Sequence, residues 1–269
     1  MSEQTSHLDR ILAAKRAQLA QHRRERLTDR RIEDALAGLA PPRDFAAALH
    51  EGPSPRVIAE FKRASPSRGV IREGASITEI VSGYAEAGAA AISVLTDPHF
   101  QGSLEDLGRA REVSQVPLLC KDFILERGQL IDARRAGADA VLLIVAALPP
   151  PTLQQLIEFA HSIDLQVLCE AHDAYEVDRA MSAGATIVGV NARDLRSFEV
   201  DLELPLKLRD LVPRGSRFTY VAESGISSVA DLKRLRDAEV DAVLVGSSLM
   251  SAEDPAAALR ELLDGLVAP

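Results

Sequence analysis

Eight short apolar runs recur along this chain, and their spacing constrains its fold more than any other feature. They are Val57–Lys62, Ala90–Thr96, Pro117–Asp122, Asp139–Val145, Leu165–Glu170, Thr186–Asn191, Phe218–Glu223 and Asp241–Gly246, and their centres step by 34, 26, 23, 25, 21, 33 and 22 residues. Each is rich in Val, Ile and Leu rather than alternating apolar with polar, as parallel strands covered on both faces are. Every gap is long enough for a right-handed helical crossover. The helices carry punctuation that supports the count. Ala87-Gly88-Ala89, Ala136-Gly137-Ala138 and Ala183-Gly184-Ala185 each end a helix and lead into a run, with a glycine suited to the left-handed turn that closes a helix. A worn fourth copy reads Ala238-Glu239-Val240. Ser76 and Ser103 stand where helix N-caps belong.

Eight strand–helix units predict an α/β fold, a single (β/α)8 TIM barrel. An open doubly wound sheet would want a glycine fingerprint after its first strand, and here that strand runs into Phe61-Lys62-Arg63-Ala64-Ser65-Pro66. Residues 1–269 are expected to form one barrel domain, with residues 1–50 as an N-terminal helical extension. The extension begins with an amphipathic helix around Leu8-Asp9-Arg10-Ile11-Leu12, Lys15 and Leu19, followed by Leu27–Leu49 with a break at Pro41-Pro42. It either caps the barrel bottom or lies near the top and shapes a site, and the cap is the simpler expectation.

Charge and cysteine usage remove other classes. Asp plus Glu number 40 against 31 Lys plus Arg, a net charge of -9, with seven Phe, three Tyr and no Trp. Such a chain lacks both the basic field and the stacking platforms of a nucleic-acid binder. No window approaches the ~18 apolar residues of a membrane span, and the opening segment lacks an apolar signal core, so a cytoplasmic protein is expected. Cys120 and Cys169 form neither a disulfide scaffold nor a metal-ligand spacing; they are expected on the outer, helix-packed face of their strands as core residues.

Barrel enzymes carry their chemistry at the C-terminal ends of the strands. Here those ends hold Glu60 and Lys62, Asp97, Lys121, Glu170, Asn191, Glu223-Ser224-Gly225 and Gly246-Ser247. Ionisable groups are costly in an apolar run unless paired or functional. Only five lysines occur in the chain, and two of them stand in this set. Side chains alternate along a strand, so Glu60 and Lys62 point the same way while Phe61 points opposite. Two lysines and two carboxylates around one cavity can divide acid and base roles; the alternative is a salt-bridge layer that closes the barrel top. The small residues after the seventh and eighth runs suit phosphate, which barrels bind there; the alternative is tight turns only. His99 and His172 follow strand ends without a metal or nucleophile pairing, and are expected to be solvated loop residues.

In order along the chain, these segments resemble the indole-3-glycerol phosphate synthase family of tryptophan biosynthesis. The likeness runs through the first amphipathic helix, Ile58-Ala59-Glu60-Phe61-Lys62-Arg63-Ala64-Ser65-Pro66-Ser67, Ser93–Asp97 with Phe100-Gln101-Gly102-Ser103, Leu119–Ile124, Ala138–Val145 and Val167–Glu170. It continues through Gly189–Leu195, Ala222–Ile226 and Gly246–Met250. The resemblance implies a cofactor-free carboxy-lyase that closes the ring of 1-(2-carboxyphenylamino)-1-deoxyribulose 5-phosphate and then expels carbon dioxide and water. It implies that Lys121 is the general acid at ring closure, and that Lys62 is a second cation for the carboxylate or the dehydration. Glu170 would be the base, Glu60 would tune Lys62 or act as base itself, and Asn191 and Glu223 would hold substrate hydroxyls. Ser65, Ser224, Gly225, Gly246 and Ser247 would bind the phosphate, Phe100, Phe123 and Leu142 would flank the aromatic ring, and Arg193 would brace the site from behind. Ala192 departs from the family, where many relatives carry a second Asn. With only Ser251–Pro269 after the last strand, no fused second barrel is expected. A monomer or weak homodimer is expected, with no metal. The rival readings are another phosphosugar-barrel isomerase or epimerase, and a non-catalytic barrel that binds a phosphorylated metabolite.

Overall fold

The computed structural model describes residues 7–21, 28–65, 69–194 and 197–267. Leu27, Pro66, Ser67, Leu195 and the last two residues of the Ser251–Pro269 segment, all used above, lie outside these. Eight parallel strands close a barrel: β1 (Arg56–Phe61), β2 (Ala91–Leu95), β3 (Leu118–Lys121), β4 (Ala140–Ile144), β5 (Gln166–Ala171), β6 (Ile187–Asn191), β7 (Thr219–Glu223) and β8 (Ala242–Val245). Their order around the barrel follows the chain, with β1 closing on β8. Every apolar run is a strand, shifted by a residue or two, and β3, β4 and β6–β8 are buried along almost their whole length.

The helix punctuation behaves as its chemistry requires. Ser76 and Ser103 accept from the backbone N–H of Glu79 and Asp106. Gly88, Gly137 and Gly184 all adopt left-handed φ values, between +93° and +96°. At the worn fourth copy Glu239 takes φ +59° in their place, a conformation that costs a side chain-bearing residue roughly 1–2 kcal/mol. Cys120 and Cys169 are buried and free, as expected of core residues; burial pushes both thiols up to about 12.

The N-terminal extension works at both ends of the barrel, which corrects the simple bottom cap. Residues 39–50 do close the bottom, where strands begin. The Arg43 backbone N–H donates to Asp139 Oδ1 at 2.7 Å, Gln166 Nε2 donates to Asp44, and the His50 ring lies 3.0 Å from the Thr219 hydroxyl. The first helix, α1 (His7–Gln21), instead lies across the mouth. Its Lys15 is buried and ion-paired with Asp97 and Asp122, just past β2 and β3. Local periodicity shows that α1 is amphipathic but not which rim it covers. Among the described residues, no helix is long and apolar enough to cross a membrane.

Candidate active site

Glu60 leaves β1 near its C-terminal end, and Lys62 stands just beyond, on the same side by strand alternation. Their ion pair, Lys62 Nζ to Glu60 Oε1, is 2.5 Å long. Lys121, the last residue of β3, reaches across the axis: its Nζ lies 3.2 Å from Glu60 Oε2, 3.6 Å from Glu223 Oε2 and 4.0 Å from Glu170 Oε2. One ammonium thus sits among three carboxyl groups from β1, β5 and β7.

The electrostatics follow from this placement. Burial works against the charge on Glu60, yet Lys121 and Lys62 overcome it and hold the carboxyl at about 2. Burial would also lower Lys121, but the three glutamates hold it well above the ordinary lysine range. Lys62 moves the other way, because burial outweighs Glu60 and Lys121 repels it. Glu170 and Glu223 are driven apart. Glu170 is held at about 2 despite burial, through the ion-pair contact with His172, the Lys121 charge and Asn191. Glu223 is pushed up to about 8 by burial and by the charge of Glu170, and neither of its oxygens has a hydrogen-bond partner of good geometry among the described residues. Neighbouring carboxyl groups driven apart in this way divide base from acid character between them.

Two glycines make room for these carboxyls. A Cβ on Gly189, in the middle of β6, would run into Glu223 Oε1, and a Cβ on Gly246 would run into Glu60 Oε1. Gly246 was expected only as a phosphate contact; in the structure its missing side chain also clears space for Glu60.

Above the ion pairs opens a cavity of about 510 Å³. Fourteen of the fifteen residues to which the family resemblance assigns a role line it; Glu223 does not, and lies wholly buried beneath, against Lys121. Arg193 was expected behind the site but lines the cavity itself, while its guanidinium donates to the Phe198 carbonyl at 3.0 Å. The walls differ in chemistry. Phe100, Phe123 and Leu142, from the β2, β3 and β4 side, form an apolar wall, with the two rings 6.4 Å apart. Ser224, Gly225, Gly246 and Ser247, from the β7 and β8 side, form a small polar wall. There the chain turns through two successive left-handed residues, Ser224 at φ +67° and Gly225 at +79°. A serine held so is strained, a pattern concentrated at functional sites. The Ser248 hydroxyl donates to the Ile226 carbonyl at 3.0 Å, tying the β7 and β8 loops together. Ser65 Oγ is buried at the cavity edge, without a hydrogen-bond partner among the described residues.

The sequence reading missed two residues here. His172 is not a solvated loop residue: its Nε2 lies 3.3 Å from Glu170 Oε1 and its Nδ1 3.1 Å from Glu176 Oε2. Burial opposes its charge, yet the two glutamates raise it to about 10, so it is an imidazolium at neutral pH. The signal was available, since His172 stands two residues after Glu170 and strand alternation sends both the same way. Lys15 is the other, and the scarcity of lysine is the clue to it: three of the chain's five lysines meet the strand ends.

A closed (β/α)8 barrel with paired acids and bases at its strand ends, under a cavity divided into apolar and small polar walls, defines the class of barrel enzymes that work by acid–base chemistry. Residues 8–262 match the family model described as Indole-3-glycerol phosphate synthase. Relatives of that name include one from Koribacter versatilis, 50% identical over 225 residues, covering 82% of this chain and 86% of the relative. Another, from Burkholderia vietnamiensis, is 44% identical over 260 residues, covering 95% and 98%. A third, from Roseiflexus sp., is 44% identical over 265 residues, covering 96% and 98%. The chain belongs to the indole-3-glycerol phosphate synthase family, carboxy-lyases of tryptophan biosynthesis. Among solved structures, thiamine phosphate pyrophosphorylase from Pyrococcus furiosus superposes with a TM-score of 0.61 at 20% identity, covering 83% of this chain and 98% of that one. KGPDC from Streptococcus mutans superposes at 0.60 and 16%, covering 78% and 97%. At that identity they share the fold alone.

Proposed function

We propose that this cavity binds 1-(2-carboxyphenylamino)-1-deoxyribulose 5-phosphate with its ring against Phe100, Phe123 and Leu142 and its phosphate at Ser65, Ser224, Gly225, Gly246 and Ser247. The observation that carries the reading is the division of the cavity, apolar on one wall and small and polar on the other, with Lys121 and Lys62 between. The substrate has the same three-part pattern: an aromatic acid, a ketone-bearing chain and a phosphate.

In this reading the ring carbon bearing the carboxylate bonds to the ketone carbon, and the ketone oxygen takes a proton from Lys121. Lys121 holds its proton tightly at rest, but a developing alkoxide is more basic than an amine, so transfer becomes favourable as charge builds on the oxygen. The carboxylate, held by Lys62, then leaves as carbon dioxide and restores the ring. Loss of the hydroxyl as water needs an acid and a base. Lys62, the lysine with the lowered proton affinity, supplies the proton, and the ionised Glu170 removes one from the former chain carbon or nitrogen. Glu60 sets the charge of Lys62, or itself serves as base. Asn191 orients substrate hydroxyls; Glu223, expected to do the same, lies beneath the cavity and instead orients Lys121, and Arg193 braces the cavity rim. The same reading makes the chain a single-domain cytoplasmic enzyme for a free small molecule, without cofactor or nucleic-acid partner, a monomer or a weak homodimer.

The test is to incubate the purified protein with this substrate and follow carbon dioxide release together with the mass of the product. Stoichiometric release of carbon dioxide and an indole product supports the reading. Binding without conversion points to a silent phosphometabolite binder, and conversion of simple sugar phosphates instead points to an isomerase or epimerase.

A further inference from the structure

The buried cation on α1 touches no substrate atom in the reading above, yet it joins two turns that do. Lys15 Nζ lies 2.9 Å from Asp97 Oδ2 and is also paired with Asp122 Oδ1. Burial alone would lower its proton affinity, and the two carboxylates more than reverse this. Each carboxylate in turn shapes one aromatic-bearing turn. Asp97 Oδ1 accepts the His99 N–H at 2.8 Å and caps the short turn Pro98–Phe100, while its carbonyl accepts from Phe100 N at 3.0 Å and Gly102 N at 3.1 Å. Asp122 Oδ1 accepts the Phe123 N–H at 2.6 Å, and Oδ2 accepts the Thr96 hydroxyl at 2.9 Å.

One turn of helix before Lys15, Ile11 packs in the same small apolar cluster as Phe100, with Phe123 against it. At the start of α1, the His7 ring meets the Phe198 ring edge-on at 4.9 Å, and Phe198 lines the opposite side of the cavity. The helix therefore spans the mouth and holds both aromatic turns from outside the barrel.

We infer that Lys15 is a specificity-determining positioning residue: its ammonium clamps the Asp97 and Asp122 turns together, and so fixes the distance between Phe100 and Phe123 that admits the substrate's aromatic ring. This rests on the proposed reading of that wall as the ring subsite. Removing the cation leaves Asp97 with the His99 ring at 2.8 Å and Asp122 with the Thr96 hydroxyl, and leaves the two carboxylates facing each other, a repulsion relieved by spreading the turns or by taking up a proton. Spreading moves the rings apart, and protonation still leaves the turns without the cation that joined them; in both cases the serine wall, on the far side of the cavity, stays in place.

The experiment compares wild type with Lys15→Met, using anthranilate and inorganic phosphate as separate equilibrium-binding probes. The expected result is a loss of about tenfold or more in anthranilate affinity and a matching rise in KM for the full substrate, with phosphate affinity unchanged. A purely structural role lowers the melting temperature and moves both probes together or neither, and either pattern overturns the inference. Should Lys15→Met not fold, Asp122→Asn, which keeps the Lys15–Asp97 pair, is held to the same selective loss. Wild type that binds no anthranilate defeats the reading of the cavity; wild type that binds it as tightly as the variant does defeats the clamp alone.

Discussion

The hydrogen atom of Gly189 on β6 faces the buried carboxyl of Glu223 on β7, and the space between them is too small for any Cβ. Gly189 pairs in register with Glu170 on one side and Val221 on the other, so the glycine lies between the two carboxyls whose proton affinities diverge. Gly189→Ala is expected to displace Glu223 from Lys121 and to lower kcat by about tenfold or more while the barrel still forms. Steady-state kinetics beside far-ultraviolet circular dichroism check this; unchanged kcat in a folded variant would show that the position of Glu223 is immaterial.

The pH dependence should report the His172 contact. With its imidazolium removed in His172→Gln, Glu170 is left with Lys121 and Asn191 as the groups favouring its ionised form, against burial and the nearby Glu223. Its proton affinity rises, so the ionised base is lost at a higher pH on acidification. The acid limb of kcat/KM should move up by about one unit or more. The same sign applies to stability. Glu170, held at about 2 in the fold, contributes stability above its ordinary range near 4.5 that is lost as pH falls toward 2, and the variant should lose it at higher pH. An unshifted acid limb would remove His172 from the account.

The polar wall should govern binding rather than chemistry. Ser224→Ala and Ser247→Ala are each expected to raise KM by about three- to thirtyfold with little change in kcat, as the loss of a hydrogen bond to a charged group does. Inorganic phosphate should compete with substrate in wild type and less well in either variant. Equal inhibition of all three proteins would place the phosphate elsewhere.

The helix-end glycines predict a pair of opposite stability changes. Gly184 has φ +93° with open space where a Cβ would go, so Gly184→Ala should cost about 1 kcal/mol from backbone conformation alone. Glu239, left-handed without being glycine, should gain up to about 1 kcal/mol on Glu239→Gly, even though its exposed pair with Arg214 is lost. Chemical denaturation of both variants measures the two signs.

The contrast between what the chain displays and what it conceals follows from the range of each interaction. Strand positions, helix ends and the strand-end glutamates and lysines were legible because each is encoded locally, by apolar runs, N-caps and side-chain alternation. The charged set at Glu60, Lys62, Lys121 and Glu170 was legible for the same reason: a carboxylate or ammonium ending an apolar run needs a partner at the barrel mouth. What stayed hidden depends on contacts across 80 or so residues, as in the Lys15–Asp97 pair, separated by 82. No periodicity records which rim a preceding helix covers. Gly189 and Gly246 were likewise opaque in their clearance role, because a missing Cβ has meaning only against the side chain that fills its place.

Replacing Lys121 with Met tests the central claim, that one ammonium held among Glu60, Glu170 and Glu223 drives ring closure. The chain has no Trp, so a newly formed indole should be visible by its fluorescence over a quiet background. With 1-(2-carboxyphenylamino)-1-deoxyribulose 5-phosphate, wild type should show a rising indole signal, and Lys121→Met should show none while keeping its fold and its affinity for inorganic phosphate. Near-normal indole formation by the variant would contradict the account.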